Sequence, residues 1–201
     1  LPAGRKVKGG IRITLSCPPE LSLSQIALDD LRLHFSGADD VAYKLYERVM
    51  CSAIGVLVCD AGRPPREQVL LPAQTIVPVT QRGFEGYRLL QEYFAFPQRF
   101  LFADFKGVGN AIRQVGERVG GHTVQLIVLL DQGDTGLEGA VDAGNFQLNC
   151  TPAINLFEKR CDRIHVTGLQ HDFHVVPDRT RPMDFEVYEL KDVTGYGEND
   201  R

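Results

Sequence analysis

Apolar and polar residues alternate along short stretches of the chain, beginning with residues 10–17 (GIRITLSC) and 29–37 (DDLRLHFSG). Alternation of this kind places one face of a β-strand on the core and the other in water. A proline pair and a serine-rich loop separate the two stretches. The run at 54–60 (IGVLVCD) is also strand-like, so the chain is predicted to begin as β-structure.

Helical spacing interrupts these strands. Val41, Leu45 and Val49 fall on one side of a helix, and Ser36 with Asp39 forms an N-terminal capping pattern. We therefore predict a helix near residues 39–51. Turns are predicted at prolines, namely Pro18-Pro19, Pro64-Pro65 and Pro177.

Aromatic residues are concentrated at 84–102, FEGYRLLQEYFAFPQRFLF, where seven occur in a chain with 6 tyrosines and 11 phenylalanines. The apolar spacing predicts a helix near 85–96 that ends before Pro97, which lacks an amide hydrogen. Because large aromatic side chains are mostly buried, we interpret the segment as core rather than as a binding cleft. The residues predicted to be buried are Tyr87, Leu90, Phe94, Phe100 and Phe102, whereas Arg88, Gln91 and Glu92 would face water.

The rest of the chain reads as more short elements. Strands are predicted near 100–106, 123–131, 145–150, 162–168, 172–178 and 183–193, with helical stretches near 135–143 and 152–160. YKLYER (43–48) is similar to INLFEK (154–159), which suggests a duplicated unit. We predict a β-rich α+β fold with mostly antiparallel strands and a few short helices. It is organised as two similar units, 1–83 and 84–201, or as one domain.

Composition excludes several classes of protein. The net charge is -4, and no basic run is interleaved with aromatic residues, so a nucleic-acid partner is not expected. No apolar stretch approaches the roughly 18 residues of a membrane-spanning helix, and no signal-peptide pattern is found, so a cytoplasmic protein is expected. The five cysteines form no CxxC pair and are expected to be buried, reduced thiols rather than a disulfide framework or a zinc site. The start at Leu1 and the polar end suggest a fragment.

The glycine-rich segment 106–121 (KGVGNAIRQVGERVGG) has part of a dinucleotide-binding pattern. Ile112 occupies the third glycine position, and the predicted helical part is short. We therefore interpret the segment as a flexible surface loop. An enzyme that binds a small molecule or nucleotide at this loop is the alternative function.

Two further groups of polar residues are candidates for a metal-binding or a catalytic site. His171 and His174, near His165 and Asp172, lie three residues apart in a predicted strand and so on opposite faces, which argues against a metal site. The aspartates match no hydrolase pattern; they are Asp29, Asp30, Asp39, Asp40 and Asp60. No catalytic, cofactor-binding or metal-binding residue is assigned, and no cofactor is predicted.

Four segments together resemble one protein family: 32–49, 84–105, 145–164 and 174–195. They are similar to TssF, also called VasA or ImpG, the baseplate subunit of the type VI secretion system. The most specific are GYRLLQEYFAFPQRFLF and CTPAINLFEKR. The resemblance implies a central fragment of a structural wedge component without enzymatic activity, acting through protein-protein contacts in assembly of the contractile injection machine. The segment 106–121 carries none of the pattern.

The resemblance also implies partners: TssG, TssK, TssE and the spike hub protein, at a cytoplasmic baseplate associated with the inner membrane of a Gram-negative bacterium. Self-association and a phage-tail baseplate of the same mechanical class remain open. Candidate contact residues are polar positions within the matching segments. They are Arg88, Gln91, Glu92, Arg99, Asn155, Glu158, Lys159 and Arg160.

Overall fold

The computed structural model of the chain describes residues 4–79, 86–153, 155–169 and 171–197, except for the side chains of residues 86–88 and 91. The chain divides into two compact units, Leu1–Pro152 and Ala153–Arg201. The predicted boundary between residues 83 and 84 lies outside the described residues. Strands from before and after it pair with one another in both sheets.

The first unit contains all the regular elements of the described chain. Its α-helices are α1 (Asp39–Cys51), α2 (Gly86–Ala95) and α3 (Val108–Val119). Its strands are β1 (Gly9–Ser16), β2 (Leu31–Phe35), β3 (Ala53–Asp60), β4 (Gln68–Pro72), β5 (Ile76–Pro78), β6 (Phe102–Phe105), β7 (Thr123–Leu130) and β8 (Phe146–Gln147).

The strands form two four-stranded sheets, with the orders β1-β7-β3-β4 and β5-β6-β2-β8. Neighbouring strands are antiparallel throughout. The prediction of a β-rich α+β fold with mostly antiparallel strands is therefore confirmed. The helices predicted near 39–51 and 85–96 correspond to α1 and α2.

One hydrophobic core joins both sheets with α1 and α3. Alternation in β7 buries Val124, Leu126, Val128 and Leu130, and the register brings Ile13 of β1 opposite Leu126. The second sheet contributes Leu31, Leu33, Phe35, Ala103 and Phe105 to the same core. The strand pattern thus fixes which residues are buried, because side chains alternate between the faces of a sheet.

Helix α1 begins differently from the prediction. Ala38 is the residue before its first turn and supplies no side-chain cap. The Ser36 hydroxyl instead donates to the carbonyl oxygen of Gly144 at 2.7 Å, so the predicted capping pair is wrong. Asp39 and Asp40 lie in the first turn, where their negative charges complement the helix dipole.

The segment predicted to be a surface loop at 106–121 contains α3, so that prediction is wrong. The helix buries Val108, Ala111, Ile112 and Val115, whose spacing follows one helical face. Glycine lowers intrinsic helix propensity, which favours a loop when the segment is considered alone. Burial of this face against β3, β4 and β7 stabilises the helix in the folded protein.

The glycines of α3 permit a close backbone contact. A Cβ atom at Gly109 would lie 1.7 Å from the carbonyl oxygen of Leu28, and one at Gly116 would lie 2.7 Å from the Leu23 Cβ. Between them, the Arg113 guanidinium donates to the carbonyl oxygens of Ile26 and Leu28 at 3.1 and 2.6 Å. The segment preceding β2 therefore lies directly against the helix.

This packing gives no support to the nucleotide-binding alternative. A phosphate-binding helix presents free amide hydrogens at its N-terminus. The Gly109 amide here donates to the carbonyl oxygen of Asp29 at 3.1 Å. Gly109 therefore contacts the protein backbone where the alternative requires a ligand.

Several predicted elements near the end of the chain are absent or shorter. Residues 135–140 form turns followed by a 3₁₀ turn at Ala143–Asn145, and only two residues of the predicted strand at 145–150 form β8. The described residues of 153–201 contain no helix or strand, so the elements predicted there are wrong. Residues 43–48 lie in α1, whereas residues 155–159 are not helical.

Candidate protein-protein interface

The aromatic segment folds as α2 followed by a 3₁₀ turn at Pro97–Phe100. The last helical hydrogen bond runs from the Phe96 amide to the carbonyl oxygen of Glu92 at 2.8 Å. The prediction that the helix ends before Pro97 is confirmed, since proline disfavours helical angles in the residue preceding it. The turn then leads into β6, which fixes the end of α2 relative to the second sheet.

The apolar side chains of α2 are largely exposed. Leu90 is 58% exposed and Phe94 is 81% exposed, so the prediction that they are buried is wrong. Phe102 is 4% exposed and stacks on His34 with ring centroids 4.4 Å apart, which confirms its burial. Phe100 is half-buried, and the side chain of Tyr87 lies outside the described residues. The hydrophobic core includes side chains of α1 and α3 and, among the described residues, none of α2.

Polar contacts hold α2 on the turn that follows it. Arg99 forms an ion pair with Glu92, and their side chains are only 11% and 19% exposed. The prediction that Glu92 faces water is therefore wrong. The Arg99 guanidinium also lies over the Phe100 ring, 5.3 Å from its centroid, and Tyr93 contacts Phe94 edge-on at 5.6 Å. The ion pair thus connects α2, which carries Leu90 and Phe94, to the 3₁₀ turn that follows it.

We call Leu90, Tyr93, Phe94 and Phe96 the aromatic patch, because all four side chains are exposed and lie close together in the chain, three of them aromatic. Clustered aromatic side chains are enriched at protein interfaces. The residues predicted as contacts in this segment were the polar ones, and the exposed apolar ones were not predicted. Their spacing was visible, but the sequence does not show which helix covers the core.

The second unit carries the remaining candidate residues, Asn155, Glu158, Lys159 and Arg160, all of them exposed. Glu158 pairs with Lys191, and the Lys159 ammonium lies 3.3 Å from Asp178. Arg160 is 3.5 Å from the Tyr196 hydroxyl. Three of these four candidate side chains, those of Glu158, Lys159 and Arg160, therefore form pairs within their own unit.

Two carboxyl groups of this unit have lowered pKa values. The Thr180 hydroxyl and amide donate to Asp178, and Lys159 adds to this, which lowers the pKa of Asp178 to about 2. A hydrogen bond from Lys191 lowers the pKa of Glu158. Both carboxyl groups are ionised at neutral pH, so these residues act as fixed negative charges rather than as proton donors.

The described residues contain no group of three or more histidine, cysteine, aspartate or glutamate side chains placed to hold a metal ion. Cys59 is buried but Cys51 is exposed, so the expectation that all five thiols are buried is wrong. The candidate aspartates form separate contacts instead. Asp30 accepts hydrogen bonds from Lys106 and from the Gly107 amide. Asp60 accepts from the amides of Gly62, Arg66 and Glu67 and so holds the loop between β3 and β4.

The chain has relatives of known class. Residues 1–201 match the family model described as "Type VI secretion system, TssF". The chain belongs to the TssF family. Over 203 residues it is 42% identical to type VI secretion system component TssF1 of Pseudomonas aeruginosa PAO1, covering 96% of this chain and 32% of that protein. The chain therefore spans about a third of the length of this relative.

A solved structure of the type VI secretion system TssK-TssF-TssG baseplate subcomplex contains a chain of similar fold. The TM-score is 0.54 at 23% sequence identity, covering 90% of this chain and 34% of that chain. Among the described residues, no helix combines the length and apolar character required to cross a membrane. The assignment of individual residues to contacts stays a prediction.

Proposed function

We propose that this chain is a structural part of the type VI secretion baseplate and acts through protein-protein contacts in assembly of the contractile injection machine. Membership of the TssF family is the observation that carries the proposal. The protein acts in the cytoplasm, at a baseplate associated with the inner membrane. Catalysis is not part of the proposed role.

TssG and TssK are the proposed partners, supported by the solved subcomplex that contains a chain of similar fold. TssE and the spike hub protein are added from the family resemblance alone. Association of this kind requires exposed surface that loses contact with water on assembly. The aromatic patch is such a surface and lies within the family-like segment 84–105.

The matched pair Phe94→Ser and Leu21→Ser tests the proposed patch in the full-length protein. Both side chains are exposed, but Leu21 lies outside the family-like segments. Phe94→Ser should reduce co-purification of TssG and TssK at least tenfold, whereas Leu21→Ser should leave it unchanged. Both variants should keep the melting temperature of the wild type, because neither side chain contributes to the core.

The polar candidates have their own test. Reversing charge at Arg88 and Arg160 in the full-length protein should weaken wedge assembly at an unchanged melting temperature. Retention of both partners after both reversals would show that these residues are not contacts. Failure of the unmodified full-length protein to bind any baseplate component would overturn the assembly role itself.

A further inference from the structure

The open edge of β1 differs from the other sheet edges of the described chain. β1 is the outermost strand of its sheet, has eight residues and contains no proline. The edge strands β4 and β5 end in Pro72 and Pro78, and β8 has two residues. Short length and proline are devices that prevent an edge from pairing with another chain. β1 has neither device.

Alternate backbone groups of β1 point to this open edge. The Cys17 amide donates to the carbonyl oxygen of His122 at 2.8 Å, in the register of the β1–β7 ladder. Only every second residue of an antiparallel strand bonds to a given neighbour. The residues between those that bond β7 therefore direct their N–H and C=O groups away from it, and no described strand pairs with them. They are Gly10, Arg12, Thr14 and Ser16.

The segment that contains β1 and the residues just before it is basic, although the protein as a whole is acidic. Residues 1–19 include Arg5, Lys6, Lys8 and Arg12 but no aspartate or glutamate, whereas the chain has a net charge of -4. These four side chains are exposed, and Arg5 lies 3.5 Å from Asp131. Pairing of β1 with a second copy would bring two such basic segments side by side, and juxtaposed like charges repel each other. An acidic strand meets no such repulsion.

We propose that the open edge of β1 binds an extended acidic segment of another baseplate protein, which adds as a fifth strand to the sheet. Backbone hydrogen bonds to the four outward-directed residues supply affinity, and Lys8 and Arg12 select an acidic sequence. The inference rests on the proposed assembly function, since that function supplies the source of the segment.

The pair Thr14→Pro and Thr14→Val isolates the backbone contribution in the full-length protein. Both variants remove the exposed hydroxyl, but only proline removes the outward amide hydrogen. Proline is tolerated on an edge strand where its amide faces away from the neighbour, so both variants should keep the wild-type melting temperature. Thr14→Pro should reduce retention of TssG or TssK at least tenfold, and Thr14→Val should not.

Charge and hydrogen exchange provide independent measurements. Replacing Lys8 and Arg12 together by glutamate should also reduce retention at least tenfold. In the wild-type protein, the amides of Arg12, Thr14 and Ser16 should exchange at least tenfold more slowly with deuterium once the partner is bound. Exchange that is already slow in the full-length protein alone would show that its own chain covers the edge. Slowing that rises with its concentration would indicate a second copy, and either result would overturn the proposal.

The outcomes also separate this inference from the proposed function. Binding of TssG and TssK that survives both Thr14→Pro and the double charge reversal overturns the β1 inference and leaves the assembly role intact. Absence of binding by the wild-type protein overturns both. Strand addition is supported if Thr14→Pro loses binding and Thr14→Val keeps it, at an unchanged melting temperature. The amide exchange of β1 should also be slowed in the wild-type complex.

Discussion

The two units of the chain use their apolar residues in opposite ways. In the described chain, every buried hydrophobic residue lies between Ile13 and Leu137, within the first unit. The described residues of the second unit include no buried hydrophobic side chain, and Phe157, Val166, Leu169 and Met183 are exposed. Apolar burial is the main source of folding free energy. The first unit therefore has a core that stabilises it, whereas the second relies on ion pairs and contacts between exposed rings.

The comparison also separates two kinds of aromatic residue. Phe35 and Phe105 are buried in the core of the first unit, where the Phe35 ring meets the rings of Tyr46 and Phe146 edge-on. Phe157 packs edge-on against Phe185 at 6.0 Å but remains 61% exposed. The same residue type therefore contributes to the core in one unit and to the surface in the other.

The largest expected effect comes from deleting a ring in each unit. Phe105→Ala should lower the free energy of unfolding by about 3–5 kcal/mol, the usual range for a buried phenylalanine. Phe157→Ala should change it by no more than about 0.5 kcal/mol, because its ring is largely in water. Urea denaturation of both variants measures the difference. Equal losses would show that the second unit has a packed core of its own.

A second prediction tests the close contact between α3 and the preceding segment. Gly109→Ala places a methyl group against the Leu28 backbone and should cost about 1–3 kcal/mol, or more if the helix cannot move. Gln114→Ala is the matched control, since Gln114 is exposed on the same helix. It should leave the urea midpoint unchanged or raise it slightly, because alanine favours helix. A stable Gly109→Ala variant would contradict the tight packing inferred for this helix.

The accuracy of the predictions made from the sequence differs between elements for physical reasons. Alternation identified β1, β2 and β7 because each has a buried and a solvated face. The failure at α3 has a physical cause: its glycines are unfavourable for an isolated helix, and the backbone contact that requires them is made with residues far away in the sequence. The failure in the second unit has another cause, since an alternating segment forms a strand only when it has a neighbour to pair with.

The candidate interface shows a related limit. Helical periodicity correctly identified one apolar side of α2, but a second amphipathic helix, α3, covers the core instead. Competition between two helices for one core is decided by packing, which no local pattern contains. The ion pairs of the polar candidates could not be predicted from local patterns either, because the partners are distant in the sequence. Glu158, for example, pairs with Lys191.

A third prediction concerns acid stability in the first unit. The Glu67 amide foremost, with the amides of Gly62 and Arg66, lowers the pKa of Asp60 below its ordinary value of 3.8. The ionised carboxylate therefore stabilises the fold above that ordinary value, and this contribution is lost as the pH falls through the lower folded-state pKa. Asp60→Asn lacks it. The wild type should have the higher urea midpoint at pH 7, and the difference should narrow progressively below about pH 4.

Asp29→Asn is the control for the acid titration, because the Asp29 side chain is 96% exposed. Its urea midpoint should follow that of the wild type at both pH values. A gap between wild type and Asp60→Asn that stays constant from pH 7 to pH 3 would contradict the role given to the Asp60 carboxylate.

The smallest expected effect is in the second unit. The Glu158 and Lys191 side chains form an ion pair but are 80% and 66% exposed, so water screens their attraction. Glu158→Gln should leave the urea midpoint unchanged within error, and raising the salt concentration should likewise leave the midpoint of the wild type unchanged.

The Arg32–Asp104 pair of the first unit offers a contrast, because the Asp104 side chain is only 12% exposed and accepts two hydrogen bonds from the guanidinium. Asp104→Asn should lower the midpoint measurably. If Glu158→Gln lowers the urea midpoint as much as Asp104→Asn does, exposed ion pairs stabilise the second unit more than their exposure implies. The two units would then differ in how charges stabilise them rather than in how much apolar surface they bury.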